Sequence, residues 1–263
     1  MKKIHLENKL KLDIIITSPP YNINKEYGKY KDKKEKDEYL TWLQKIAKIS
    51  LKILREDGSF FLNISGRPID PWLPWEVAQR FGFSGFKLQN VIHWIKSISI
   101  EKNDVGGGNN SIKQNSSIGH FKPIISNRFL SDLHEYVFHF TKNGNKIVDK
   151  FGIGVEYQDK TNIERWKSSK KDRRDRGNIW FIPYKTIKEK RPHPAVFPEK
   201  LPYLCIKFNG YDKNSIVYDP FMGIGTTALA CLSLGVKFIG TEIDEKYIEI
   251  ANEYLTKKET DGK

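Results

Sequence analysis

The 263-residue chain reads as an α/β protein whose sheet is built from its two ends around a polar insertion. Three observations carry that expectation. Residues 215–257 alternate short apolar runs with helical stretches, the pattern of a βαβ unit with parallel strands. Residues 12–16 (Leu-Asp-Ile-Ile-Ile) form a short apolar run, and a long amphipathic stretch follows at 38–55. Residues 98–178 contain Gly106-Gly107-Gly108-Asn109-Asn110, many Ser and Asn, and little periodicity, which marks an inserted region. The expected organisation is one sheet domain from 1–97 and 179–263, with an insertion at 98–178.

Residues 12–16 read as a buried strand that runs into Thr17-Ser18-Pro19-Pro20-Tyr21, where two prolines forbid ladder pairing. The lysine-rich stretch 25–36 reads as a mobile loop. Leu40, Leu43, Ala47, Leu51 and Leu54 share one helical face, Ile46 and Ile53 widen it, and Ile49 falls off it. Gly58 is expected to close that helix. Strands follow at 59–64, 87–96 and 134–141, with a short helix near 75–81 between the first two. Asn178 to Ile182 restores order, 198–208 is helical, and strand, helix, strand, helix follow at 215–218, 225–234, 236–241 and 245–257.

Composition narrows the classes. The chain is 38% hydrophobic and 13% aromatic, which excludes a disordered protein. No apolar run approaches the roughly 20 residues of a membrane span. The start of the chain, Met1 to Lys11, lacks the apolar core of a secretory signal, so a cytoplasmic protein without a membrane partner is expected. Two cysteines are too few for a disulfide scaffold or a cysteine-based zinc site, and His93, His134 and His139 lack a metal-ligand spacing, so no metal is expected. Forty-five Lys and Arg against 32 Asp and Glu leave +13, a balance that suits a polyanionic partner.

Val217 to Ala228 (Val-Tyr-Asp-Pro-Phe-Met-Gly-Ile-Gly-Thr-Thr-Ala) follows a strand and opens a helix. Gly223 and Gly225 permit a tight turn and close backbone approach to a ligand, and Glu242 stands at the end of the next strand, where an acid can hold ribose hydroxyls. No Lys follows the second glycine, so the turn is not a Walker phosphate loop. A nucleoside-type cofactor is implied. A carboxylate at Asp219 repels a pyrophosphate but accepts bonds from an ammonium group, which favours S-adenosylmethionine over NAD.

Ser18-Pro19-Pro20-Tyr21 is the second constellation. The prolines stiffen the backbone and leave carbonyl oxygens as acceptors, with a hydroxyl and an aromatic ring beside them. A planar ligand with an amino group suits such a pocket, its N–H groups on Ser18 and the Pro19 carbonyl and its face on Tyr21.

The two motifs in this order resemble the β group of DNA amino-methyltransferases, in which a [S/D/N]-P-P-[Y/F/W] motif lies near the N-terminus and D-P-F-x-G-x-G-T-T near the C-terminus. Arg191 to Leu201 is similar to that family's H-P-A-x-F-P segment beside the cofactor pocket, here His193, Pro194, Phe197 and Pro198, and Gly240 to Asp244 is similar to its ribose-binding strand end. The resemblance covers both ends of the chain; residues 98–178 match no motif, as expected of a target-recognition region. It implies a Rossmann-like S-adenosylmethionine-dependent methyltransferase sheet. It implies cofactor contacts from Asp219, Pro220, Phe221, Gly223, Gly225, Thr226, Thr227 and Glu242, with His193, Pro194 and Phe197 alongside. It makes Ser18, Pro19, Pro20 and Tyr21 the catalytic set around a base flipped out of double-stranded DNA.

Methyl transfer to an exocyclic amine needs mainly positioning, because the sulfonium methyl is already activated. Hydrogen bonds from the amine to Ser18 and the Pro19 carbonyl favour a pyramidal nitrogen and free its lone pair. The carbon-5 cytosine alternative needs a nucleophilic Cys, normally after Pro; Leu204 precedes Cys205 and Ala230 precedes Cys231, and both read as core residues. Ser at the first motif position is commoner among the family's N4-cytosine enzymes and Asp or Asn among its N6-adenine enzymes, so Ser18 favours cytosine, with N6-adenine methylation as the alternative. The resemblance also implies a restriction-modification setting with a cognate endonuclease.

Arg165, Lys167, Lys170, Lys171, Arg173, Arg174 and Arg176 surround Trp166 with only Asp172 and Asp175 as acids between them. Such a cluster can bind phosphates and aim Arg at guanine; Lys167, Lys170, Lys171, Arg173, Arg174 and Arg176 are the expected DNA contacts. The lysine-rich stretch 25–36 is a second candidate, closing over a flipped base. Two other classes remain open on the residues: an NAD-dependent oxidoreductase using the Gly223/Gly225 turn, and a non-catalytic nucleic-acid-binding protein.

Overall fold

The structure, a computed structural model, describes residues 11–105, 112–121, 123–165, 172–184 and 196–261. The strands of its main sheet are β1 (Leu12–Thr17), β4 (Leu54–Ile64), β5 (Lys87–Ile95), β8 (His134–Thr141), β9 (Ile179–Phe181), β10 (Ile216–Asp219) and β11 (Lys237–Gly240). They lie in the order β11-β10-β1-β4-β8-β5-β9. β11, β10, β1 and β4 run parallel, and β8 runs antiparallel to both its neighbours. A small hairpin, β2 (Glu26–Tyr27) with β3 (Tyr30–Lys31), and a ribbon, β6 (Ser97–Ile100) with β7 (Ser116–Gly119), stand apart.

The helices are α1 (Lys36–Ile53), α2 (Leu73–Phe83), α3 (Asn162–Arg165), α4 (Lys200–Asn209), α5 (Thr226–Leu234) and α6 (Glu245–Asp261). They cover both sheet faces because the strand residues alternate between two cores. Leu12, Ile15, Phe60, Leu62, Phe138 and Phe140 pack with Leu40, Leu43 and Ala47 of α1 and with Val77 and Phe81 of α2. Ile14, Ile16, Phe61 and Val137 pack on the other face, with Leu201, Leu204 and Cys205 of α4 and Ala230 and Cys231 of α5.

Two expectations need correction. The helix does not run on to Gly58: α1 stops at Ile53 and the chain passes straight into β4. Gly58 lies inside that strand, where it comes so close to β1 that a Cβ would sit 2.9 Å from the Asp13 carbonyl oxygen. The span 98–178 is also not one continuous insertion. Its residues 134–141 form β8, with β4 on one side and β5 on the other, at the heart of the seven-stranded sheet. The alternation of aromatic and β-branched residues there buries Val137, Phe138 and Phe140 on the two faces.

Connections from β1 and β10 leave in opposite directions along the sheet. β1 leads through α1 to β4 on one side, and β10 leads through α5 to β11 on the other. The carboxyl ends of these adjacent strands therefore frame a switch point, the place where open α/β sheets form a ligand crevice.

Candidate active site

A cavity of about 1520 Å³ opens at that crevice. Ser18, Pro19, Pro20 and Tyr21 follow β1 and line it, as do Pro220, Phe221, Met222, Gly223 and Thr226 after β10 and Thr241 and Glu242 after β11. Phe197 also lines it, whereas Asp219, Gly225 and Thr227 do not. His193 and Pro194 lie outside the described residues.

Asp219 is 1% exposed and works inside the turn. Its Oδ1 accepts bonds from the Thr17 hydroxyl at 2.8 Å and the Phe221 amide at 3.0 Å, and its Oδ2 accepts the Thr227 hydroxyl at 2.7 Å. This carboxylate ties the end of β1 to the start of α5. Burial pushes its pKa up from 3.8 to about 6, although all these donors pull it down. Gly223 and Gly225 hold φ of 54° and 82°, the left-handed region that favours glycine. A Cβ on Gly225 would also meet Ala251 of α6 at 2.9 Å.

Glu242 closes the turn from the neighbouring strand. Its carboxylate accepts the amides of Gly223 at 2.8 Å, Ile243 at 2.7 Å and Asp244 at 3.0 Å. A carboxylate offers about four acceptor positions, so one remains for a ligand hydroxyl. In the same turn the Phe221 ring meets Trp42 edge-on at 5.4 Å, and Trp42 stacks on Tyr30 at 5.8 Å.

Tyr30 belongs to the stretch expected to be a mobile loop, which is instead a built hairpin. The buried Asp32 carboxylate accepts the amides of Asn22 at 2.8 Å, Ile23 at 3.0 Å and Lys25 at 3.2 Å. Asn22 and Asn24 take φ of 59° and 58°, as Asn tolerates better than most residues. Ile23, Lys25, Tyr27, Tyr30 and Lys34 thereby roof the cavity. The Tyr30 hydroxyl is buried without a hydrogen-bond partner among the described residues.

The proline motif sits in a polar network that sequence reasoning missed. Tyr39 donates to the Pro20 carbonyl at 2.7 Å and fixes the loop. The Ser18 and Tyr21 hydroxyls are 2.8 Å apart, and Tyr21 donates to Glu135 Oε2 at 2.8 Å. Asn63 Nδ2 donates to Tyr21 at 2.7 Å and to Glu135 at 2.8 Å, with a longer contact of 3.3 Å to Ser18. Lys96 Nζ lies 3.3 Å from Glu135 Oε1. Burial, then the Glu135 charge, raises the Tyr21 pKa well above 10. The Tyr21 ring is thus tied by its hydroxyl to this network. The missed residues carry a faint signal: Asn63 interrupts the apolar run Phe60 to Ile64, and Glu135 is the one acidic residue of β8.

The described part of the basic segment, 172–176, lies elsewhere. Lys167, Lys170 and Lys171 fall outside the described residues. Arg173 Nη1 donates to the Gly154 carbonyl at 3.0 Å, and Arg176 Nε to the Ile153 carbonyl at 2.8 Å. The Arg174 backbone pairs with Val155. None of Arg173, Arg174 and Arg176 lines the cavity. Both cysteines are buried, and burial raises both thiols, that of Cys231 to about 12, so neither is a thiolate nucleophile. His139 is held between Ser59 and Asn90 at 2.9 Å each and stacks on Phe61, a core histidine. Among the described residues, no helix is long and apolar enough to cross a membrane.

Sheet order, switch point and glycine turn define a Rossmann-like α/β protein that takes a nucleoside-type ligand at the carboxyl edge of its sheet. The family model described as DNA methylase (N6_N4_Mtase) matches residues 12–253, and the chain belongs to this family. It is 27% identical to the type II methyltransferase M.BglII of Bacillus subtilis, an alignment covering 93% of this chain and 64% of the relative. The chain therefore spans just under two thirds of that relative's length. Its fold is similar to the PvuII cytosine-N4-specific DNA methyltransferase, with a TM-score of 0.64 at 22% identity over 97% of this chain and 90% of that one. It is also similar to M1.HpyAVI in complex with SAM, with a TM-score of 0.55 at 23% identity over 96% and 93% of the two chains.

Proposed function

We propose that the protein transfers a methyl group from S-adenosylmethionine to the exocyclic N4 amine of a cytosine flipped out of duplex DNA. One observation carries the reading: the Ser18 to Tyr21 motif and the Gly223/Gly225 turn follow adjacent strands and open on one cavity. An amine held at the first and a methyl donor held at the second would be neighbours, as in-line transfer requires.

The residues fit this cofactor. Glu242 keeps one acceptor position for a ribose hydroxyl, and Phe221, Trp42 and Tyr30 offer apolar and aromatic surface. The buried Tyr30 hydroxyl lacks a partner that a polar ligand atom would provide. When bound, S-adenosylmethionine supplies an electrophilic methyl group. The chain's own residues do the rest. Ser18 and the Pro19 carbonyl accept the amine's N–H bonds and draw its lone pair out of the ring. Asp219 acts behind the turn, holding its shape through Thr17, Thr227 and the Phe221 amide.

Cytosine is favoured by Ser18, the residue type commoner at this position in N4-cytosine enzymes, while the Lys96 ammonium is a cavity-lining donor that suits the ring-nitrogen acceptor beside the amine of either base. The two remainders of the 98–178 span, either side of β8, are the proposed target-recognition elements. Arg173, Arg174, Arg176 and the lysines at 167, 170 and 171 are proposed as phosphate contacts. A restriction-modification setting with a cognate endonuclease, in the cytoplasm, is proposed with it; the relative's description as a type II methyltransferase fits the first part. Incubation with methyl-tritiated S-adenosylmethionine and duplex DNA, RNA or bulk protein tests the reading. Label should enter DNA, and Ser18→Ala should slow it at least tenfold; label entering only RNA or protein would overturn it.

A further inference from the structure

Resting on the amine-methylation reading, we propose that Glu135 is the terminal proton acceptor of the reaction, reached from the target amine through Ser18 and Tyr21. The polarity of the chain follows from its end. A carboxylate only accepts hydrogen bonds, so the proton in the 2.8 Å contact belongs to Tyr21. The Tyr21 oxygen then accepts from its neighbours, which turns the Ser18 proton toward it across 2.8 Å. Ser18 is left with a lone pair for the cavity, which it lines. Asn63 donates its two amide hydrogens to Tyr21 and Glu135, with Ser18 in longer contact at 3.3 Å, and so holds the three together. Lys96 balances the carboxylate from its other oxygen. Glu135 is 9% exposed, at the start of the antiparallel strand β8, which brings it beside the carboxyl end of β4.

The bookkeeping closes. The amine nitrogen forms a bond to the methyl carbon while the carbon–sulfur bond breaks, and sulfur keeps the electron pair. The nitrogen, now carrying one proton too many, gives it to Ser18 Oγ. The Ser18 proton moves to Tyr21, and the Tyr21 proton to Glu135 Oε2. Both hydroxyls are regenerated, and Glu135 ends as a neutral acid beside Lys96. It returns its proton to water when the product leaves.

The test is single-turnover methyl transfer to sheared unmethylated genomic DNA. Glu135→Gln keeps the shape and an acceptor for Tyr21 but takes no proton. It should slow transfer about 100-fold, the low end of what a positioned proton acceptor contributes. Binding of DNA and of S-adenosylmethionine should change less than about threefold, since the lost interaction belongs to the chemical step. Tyr21→Phe should behave alike, and the double variant should be no slower than the worse single one. Glu135→Asp, which retains the carboxylate, should recover part of the rate. Carbon-13 NMR of labelled tyrosine in the ligand-free protein gives a separate reading. The resonance deleted by Tyr21→Phe should move in Glu135→Gln, as its ionic acceptor is lost.

Wild-type transfer with Glu135→Gln at an undiminished rate would overturn the relay alone. So would independent, multiplying losses in the two single variants, or losses explained by weaker binding. A wild-type protein that methylates no DNA would remove the reading beneath it.

Discussion

Replacing Asp219 by Asn separates a carboxylate that shapes the turn from one that binds the cofactor directly. Burial lifts this group from 3.8 to about 6. That rise of about two pH units makes its ionised form about 3 kcal/mol costlier in the fold than in the unfolded chain. The sign follows from a raised pKa. The stabilising contribution is complete below pH 3.8 and is lost as pH rises through about 6. Asn has the size of the neutral acid and keeps an oxygen for Thr17 and the Phe221 amide, while the Thr227 hydroxyl can turn to accept. Asp219→Asn should therefore be as stable as wild type near pH 4 and up to about 3 kcal/mol more stable at pH 8. Urea unfolding at a series of pH values reads the difference. S-adenosylmethionine affinity, by calorimetry at pH 8, should change less than about threefold, because the carboxylate does not face the cavity. A direct bond to the cofactor ammonium would instead contribute about 1.5–3 kcal/mol, or tenfold and more in affinity. A loss of that size, or a stability difference that does not vary with pH, would refute the reasoning.

Burial pushes His139 the other way, from 6.5 to about 3, so it stays neutral in the fold. Its contribution is complete above pH 6.5 and drains by about 1.4 kcal/mol per unit as pH falls toward 3. Between pH 6 and 4 this nearly cancels the gain from Asp219, so wild-type stability should stay nearly level there while that of Asp219→Asn falls from its higher value to meet it near pH 4. Gly225→Ala should cost about 2–3 kcal/mol in urea unfolding, from its φ of 82° and the 2.9 Å approach to Ala251. Asp32→Ala removes the acceptor for three loop amides and should leave the global Tm nearly unchanged. It should raise amide exchange across residues 22–35 and weaken cofactor binding about tenfold, the scale of one or two lost hydrogen bonds at the roof.

The two ends of the chain were legible because their elements follow from local rules. Strand and helix periods, a proline pair and a glycine turn each announce themselves within a dozen residues. What stayed hidden depends on sequence-distant partners. Residues 134–141 read as a strand, but nothing in that stretch says that it slots between β4 and β5, away from its chain neighbours. With its position went Glu135, whose meaning lies in Tyr21 and Asn63, far away in sequence. The lysine-rich stretch after Tyr21 looked mobile by composition. Its order comes from one buried acid, Asp32, among lysines. The β6–β7 ribbon was hidden by its Ser-rich strands, whose pairing, as in Ser99 with Ser117, is supplied by backbone and hydroxyl bonds instead of a core. Asp219 was found for its position, but its role shifted, since both of its oxygens turn toward Thr17, Thr227 and the Phe221 amide.

The most direct test of the central claim is to treat unmethylated duplex DNA with the protein and S-adenosylmethionine, digest the DNA to nucleosides and identify the methylated base by mass spectrometry. The account predicts N4-methylcytosine, lost with Ser18→Ala. N6-methyladenine would keep the amine chemistry and overturn the choice of base drawn from Ser18. Carbon-5 methylcytosine, or no methylated nucleoside from a protein that binds both cofactor and DNA, would contradict the account itself.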